Sequence, residues 1–183
     1  MVIWLTGLSA CGKSTLGRLV YELWKPDAPN TVLVDGDEVR DIVRFNTGED
    51  SYSQRGRRAV AERYCDLCAW LDRQDINVIC CTISAFEDLR ARNRKTFSRY
   101  FEVFITAPLE VLSRRHELDL YARAQRGEVH NVVGVDLAFA PPEVPDMVVD
   151  NSSDRDDLRP IADEILARAR GFAGPSRRHT AAR

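Results

Sequence analysis

Gly7-Leu8-Ser9-Ala10-Cys11-Gly12-Lys13-Ser14-Thr15 is the stretch that decides the fold of this 183-residue chain. An apolar run, Val2-Ile3-Trp4-Leu5, precedes it, and an amphipathic segment, residues 16–24, follows. A G-x-x-x-x-G-K-[ST] spacing between a strand and a helix is the context of a phosphate-binding loop. Its glycines let the backbone curl, so that successive N–H groups point at phosphate oxygens. The expected roles are a charge from Lys13 at the β- and γ-phosphates and a Mg²⁺ ligand from the Ser14 hydroxyl. The positive end of the helix behind them favours the same anion.

The chain is long enough for one continuous core. Its net charge of −2 gives no electrostatic footprint for a nucleic-acid polymer. No apolar run reaches the ~18 residues that span a bilayer, and residues 1–5 lack a basic leader. The expectation is a cytoplasmic protein with a small-molecule partner and no membrane or nucleic-acid partner. Oligomeric state is left open, with a homodimer among the options. The cysteines, Cys11, Cys65, Cys68, Cys80 and Cys81, are odd in number and lack a framework spacing. Cys65 and Cys68 are assigned to core packing rather than zinc, because no second pair or nearby His completes four ligands. Cys80 and Cys81 are read as small buried side chains. Cys11, at a helix N-terminus, is the one expected to be reactive.

Apolar spacing predicts strands at residues 2–5, 31–34, 77–82, 100–105 and 147–149. Helices are expected near 16–24, 57–74, 86–97, 108–115 and 158–170. Residues 44–56 are polar and expected to be mobile; 116–140 form an irregular lid, and 171–183 a disordered tail. Alternating strands and helices predict an α/β single-domain P-loop NTPase fold over residues 1–170. Its parallel five-stranded sheet would carry helices on both faces and a lid. The loops at the carboxyl ends of the strands would then bring together the phosphate loop, residues 35–40 and Ser84-Ala85.

Those loops hold what phosphoryl transfer needs. Asp35 and Asp37, two apart at a strand end, would project to the same side. Asp37 is assigned as the base for the acceptor hydroxyl and Asp35 as the metal-shell residue, with exchange of the two left open. Helix capping by Asp37 is the structural alternative. Arg40 would grip an anionic acceptor if residues 37–40 are helical. Arg57, Arg58 and Arg63 divide evenly between acceptor contacts and a solvated face. Arg114 and Arg115 are read as lid arginines closing on the ATP phosphates, against compensation of a helix C-terminus. His116 and His130 have no partner that would make either a general base.

Taken together, these motifs resemble the adenylylsulfate kinase family over about residues 2–151. They are G-L-S-x-x-G-K-S-T, D-G-D-x-V-R (35–40), the strand ending Ile83-Ser84, F-E-V-F-I (101–105) with P-L-E-V (108–111), L-Y-A-R-A (120–124) with G-E-V (127–129), and G-V-D (134–136). The resemblance implies an ATP- and Mg²⁺-dependent transfer of the γ-phosphate to the 3′-hydroxyl of adenosine 5′-phosphosulfate. It implies nucleotide binding at Gly7 to Ser14, acceptor binding near Arg40 and Ser84, and a lid around Arg115 to Asp136. Thr15 and Arg115 are added as nucleotide-binding candidates, and Arg57, Ile83, Val132 and Val133 as acceptor-binding candidates. Lys13, Asp35, Asp37 and Ser84 would be the catalytic positions, and Ser14 with Asp35 the metal positions.

Two departures bear on the acceptor. The lid Lys-Gly pair of the family is replaced by Leu118-Asp119, with Arg123 or Arg126 as replacement cations. The family's F-T-G-I-D is Val132-Val133-Gly134-Val135-Asp136, which removes a ring that would stack on adenine; Phe45 or Tyr52 is the candidate for a remaining one. A base stack contributes ~1–3 kcal/mol, so its loss argues for another acceptor. The N-V-V-G-V-D form is similar to a side branch whose members include kinases of cytidine diphosphate-type nucleotides such as cytidine diphosphoramidate. Remaining alternatives are a kinase of a non-nucleotide alcohol and a non-catalytic nucleotide-binding protein.

Overall fold

Val2–Thr6 (β1), five successive buried residues, is the centre of the sheet. In this computed structural model, which describes residues 1–44, 51–115, 119–154 and 157–172, β1 pairs in parallel with Asn77–Thr82 (β3) on one side and Tyr100–Thr106 (β4) on the other. Thr31–Asp35 (β2) adds to β3 and Met147–Asp150 (β5) to β4, both parallel, giving the order β2-β3-β1-β4-β5. A strand covered on both faces reads as an unbroken apolar run, and V-I-W-L is one, closed by the buried Thr6.

The period of two along β1 divides the core. Ile3 and Leu5 join Leu16, Val20 and Trp24 of Lys13–Trp24 (α1) and Ala162, Ile165 and Ala169 of Arg159–Gly171 (α7). Val2 and Trp4 join Val60, Tyr64 and Cys68 of Gln54–Asp72 (α3) and Leu89 of Glu87–Thr96 (α4). Each large apolar side chain sealed in this way contributes roughly 1.5–3 kcal/mol. Leu109–Arg115 (α5) follows β4 and places Leu112 in the first cluster.

The structure differs from expectation at several places. Gly36–Ile42 (α2) and Leu120–Gln125 (α6) are helices too short to display an apolar repeat. α3 starts before residue 57, because the Ser53 hydroxyl accepts the Gly56 N–H at 3.1 Å and caps it; residues 45–50 of the stretch expected to be mobile lie outside the described residues. The chain remains ordered past 170: Arg99 donates to the carbonyls of Ala169, Arg170 and Phe172, and the Phe172 ring meets Phe101 edge-on at 5.4 Å. Residues 173–183, and His116 to Leu118 of the lid, lie outside the described residues.

All five cysteines are free and buried. Cys65 and Cys68 sit in the core beneath α3, as expected from packing, and burial pushes the Cys65 thiol up to about 11. Cys11 is fully buried too, which overturns its expected reactivity: the loop turns the thiol into the core, away from solvent. Among the described residues no helix is long and apolar enough to cross a membrane.

Candidate active site

The carboxyl ends of β1, β2 and β3 open into one cleft of about 710 Å³. Its floor is the phosphate loop. Gly12 stands at the N-terminus of α1 with φ +101 and no capping side chain, so the first-turn N–H groups are left for an anion. A Cβ at Gly12 would lie 2.7 Å from Asn151 Nδ2, and that same amide donates to the Cys11 carbonyl at 2.9 Å. Lys13 folds over the loop, its ammonium donating to the Leu8 carbonyl at 2.7 Å. Ser9, Ala10, Gly12, Lys13, Ser14 and Thr15 line the cleft. Gly7, Leu8 and Cys11 do not; they form the back of the loop, where a Gly7 Cβ would meet the Ile105 carbonyl at 2.3 Å and Leu8 packs under Gly134.

The lid is bonded to this floor. Tyr121, buried on α6, donates to the Ser9 carbonyl at 3.0 Å, and burial pushes its hydroxyl up to about 12. Arg115 lines the cleft, but its donors are committed to the β5–α7 connection: Asn151 O at 2.7 Å, Ser153 O at 3.0 Å and Asp154 Oδ1 at 2.8 Å. It therefore stands in the cleft wall with these donors turned to the β5–α7 connection. Arg123 and Arg126 are each paired with Glu128, outside the cleft, so neither replaces the missing lid cation.

Both acids reach the cleft by different routes from the one expected. Asp35 ends β2, is buried, and is itself the cap of α2: its Oδ1 accepts the Asp37 N–H at 3.0 Å. Asp37 is already helical and exposed, so strand alternation does not govern it, and it is not the cap. Both line the cleft, with Arg40 one turn further along α2. Among the described residues no cluster of three or more His, Cys, Asp or Glu forms a cage for a metal. A hydroxyl at Ser14 and a carboxylate at Asp35 suit a Mg²⁺ ion that arrives on nucleotide phosphates and keeps most of its water.

The acceptor end is basic. The Arg40 guanidinium lies 4.8 Å from the Tyr52 ring centre and that of Arg57 5.3 Å from it. Arg57 also donates to Tyr52 O at 2.9 Å and to Asn131 O at 2.7 Å, joining α3 to the lid. Burial, and then the nearby Arg40, push the Arg57 guanidinium below its ordinary value. Arg58 instead bridges Glu62 and Asp88 on the surface. Tyr52 is the aromatic candidate placed in the cleft; Phe45 lies outside the described residues. Val132 and Val133 are buried at the cleft wall, and His130 is an exposed lining residue.

Ile83 and Ser84 complete that wall. Thr6 Oγ1 holds the Ile83 carbonyl at 2.8 Å, and Trp4 Nε1 donates to Ser84 Oγ at 2.6 Å. Sequence reasoning missed this support, together with the roles of Asn151, Tyr64 and Arg90. Tyr64 donates to the Gly36 carbonyl at 2.5 Å and fixes α2 to α3. No local pattern marks these residues: Asn151 stands in a polar run, Asp150-Asn151-Ser152-Ser153, and Tyr64 between Arg63 and Cys65.

The family model for adenylylsulphate kinase matches residues 1–150. A cytidine diphosphoramidate kinase of Campylobacter jejuni is 38% identical over 151 residues, covering 82% of this chain and 86% of that protein. An adenylyl-sulfate kinase of Gloeothece citriformis is 35% identical over 167 residues, covering 91% and 92%. Among solved structures, the Mycobacterium tuberculosis APS kinase in complex with AMPPNP and APS superposes with a TM-score of 0.78 at 28% identity, covering 92% of this chain and 96% of that one.

Proposed function

The chain belongs to the adenylylsulphate kinase family, and on that premise we propose that it transfers the γ-phosphate of ATP to the 3′-hydroxyl of a cytidine diphosphate-type nucleotide. ATP would lie on the phosphate loop with Lys13 and the N-terminus of α1 at its phosphates. Ser14 and Asp35 would hold Mg²⁺, which would supply neutralisation of the β- and γ-phosphate charge. Asp37, exposed at the mouth of the cleft, accepts the proton of the acceptor hydroxyl. Arg40 and Arg57, braced on Tyr52, hold the acceptor's anionic group, and Ile83, Ser84, Val132 and Val133 bound the space for its nucleoside.

The observation that carries the choice of base is the state of the aromatic rings. Among the described residues, the benzene-type rings that line the acceptor end already have partners: Tyr52 meets Arg40 and Arg57, Phe86 meets Arg58 at 5.3 Å, and Tyr64 is buried and bonded to Gly36. Val132 and Val133 offer an aliphatic wall instead. A pyrimidine has the smaller π-face to cover, so it loses less than a purine where no pair of rings can sandwich it. The C. jejuni relative supports the same choice. Adenosine 5′-phosphosulfate is the second reading, supported by the adenylyl-sulfate kinase relatives.

The deciding assay offers ATP and Mg²⁺ with cytidine diphosphoramidate, CDP, adenosine 5′-phosphosulfate and a 3′-deoxy control, and follows the 3′-phosphorylated product. The expected order places a cytidine nucleotide at least about tenfold ahead in kcat/KM, a difference of ~1.4 kcal/mol. A reversed order moves the assignment to adenosine 5′-phosphosulfate. Absence of turnover with every 3′-hydroxyl nucleotide refutes the proposal.

A further inference from the structure

Behind the acceptor wall, α4 carries Arg90, a guanidinium only 4% exposed to solvent. Its nearest carboxylate, Glu102 on β4, is 3.7 Å away from Nε. Glu102 is already served by Arg94 at 3.1 Å and by the Tyr100 hydroxyl at 3.1 Å, and Arg94 also holds Asp146 at 2.9 Å. The ion pair behind the wall therefore closes without Arg90. Burying a second guanidinium costs desolvation that a long contact does not offset.

The stronger bonds of Arg90 go to backbone. Nη1 donates to the Ser84 carbonyl, and Nη2 donates to the Ala140 carbonyl at 3.0 Å. Ser84 ends the β3 side of the acceptor wall, and Ala140 lies on the return from the lid segment that carries Asn131, Val132 and Val133. One planar fork thus ties the two sides of the acceptor space together. Ser84 also has φ +51, a backbone region that a serine seldom occupies. It is held there from both sides, by Arg90 at its carbonyl and by the Trp4 indole N–H at its hydroxyl.

We propose that Arg90 is a positioning residue for the acceptor nucleotide: it fixes Ser84 in its left-handed conformation and sets the width between the β3 end and the lid return. The proposal rests on the kinase reading above. Its effect falls on the acceptor and spares ATP, because Arg90 makes no bond to the phosphate loop.

Arg90→Lys is the test. An ammonium keeps the charge but cannot hold two carbonyls in the fixed geometry of a guanidinium. KM for the acceptor that wild type turns over, cytidine diphosphoramidate or adenosine 5′-phosphosulfate, should rise about tenfold or more, with KM for ATP within about twofold. Arg94→Gln is the stability control: it breaks the same ion-pair group without touching Ser84. It should lower the melting temperature while leaving acceptor KM within about twofold. Equal rises in both KM values for Arg90→Lys, or an unchanged acceptor KM, overturn the proposal. Should Arg90→Lys not fold, arginine-detected NMR of the wild-type protein carries the test. The Arg90 guanidinium signals should shift on adding acceptor and stay in place with a non-hydrolysable ATP analogue alone; no shift with acceptor overturns it. A wild-type protein inactive on both nucleotides refutes the kinase reading and takes this inference with it. An active wild type matched by Arg90→Lys refutes this inference alone.

Discussion

Asp35 and Asp37 share one helix turn, but the structure gives them different duties, and asparagine substitutions separate these. Asp35 caps α2 through its 3.0 Å bond from the Asp37 N–H. Removing a cap costs about 1 kcal/mol, so Asp35→Ala should lower the melting temperature by about 2–4 °C in a domain of this length. Asn caps as well as Asp, so Asp35→Asn should keep the wild-type melting temperature and lose only charge at the metal position, raising the Mg²⁺ concentration needed for half-maximal rate. Asp37 is exposed and is not the cap. Asp37→Asn should therefore leave stability unchanged. Losing a general base lowers kcat about 10²–10⁴-fold, or ~3–5 kcal/mol of barrier. Binding of a non-hydrolysable ATP analogue should remain within about twofold of wild type. A coupled ADP-release assay, calorimetric ATP-analogue binding and a thermal melt on the same preparations supply the three readouts. An Asp37→Asn enzyme with kcat within about threefold of wild type refutes Asp37 as base; if Asp35→Asn bears the loss instead, the two roles are exchanged.

Three further outcomes follow from the geometry. Gly7→Ala places a Cβ 2.3 Å from the Ile105 carbonyl and 2.7 Å from Cys11 Sγ, at φ +153; it should cost about 1–3 kcal/mol in a thermal or urea melt, and a wild-type melt would show that the loop backbone yields. Burial opposes ionisation of Asp72, but the Ser98 N–H and hydroxyl and the Met1 ammonium prevail and hold its carboxyl below the usual carboxylate range. Its folded pKa is thus depressed: the stability it adds is present above the unfolded value of about 3.9 and is lost as pH falls through the folded value. Asp72→Asn should flatten that acid limb in urea titrations, and an unchanged slope below pH ~4 refutes the assignment. Finally, a thiol reagent should label none of the five buried cysteines in the native protein and all five in denaturant, with ATP turnover unaffected by the native treatment; rapid native labelling at Cys11 would contradict its burial.

The sequence carried the sheet because its strands are covered on both faces: V-I-W-L and N-V-I-C-C-T leave no polar alternation to confuse with a helix. It also carried the loop chemistry, since Gly12-Lys13-Ser14 is a local pattern. What it could not carry was any bond that crosses the chain. The Trp4 indole reaching Ser84, Asn151 clasping the Cys11 carbonyl and Arg90 spanning two walls join residues 50 to 140 positions apart or close sub-turn geometry that no periodicity records. The short helices were hard to read for a related reason: α2, left open in the sequence, depends on one cap, and α6, which was missed, on one buried tyrosine. Cys11 was misjudged because a helix N-terminus suggests thiol activation, whereas the fold turns that side chain inward.

β1 stands between two strands that the chain supplies much later. Its neighbours begin at residues 77 and 100, so β1 is made well before either of its partners. Parallel pairing across such separations must meet a loop-closure cost before any contact repays it. During synthesis both edges of V-I-W-L-T stay open until β3 has been made, and one edge stays open until β4 follows. The central strand that anchors the finished enzyme is thus, in the nascent chain, an apolar segment with unpaired edges, the kind of surface that invites mispairing.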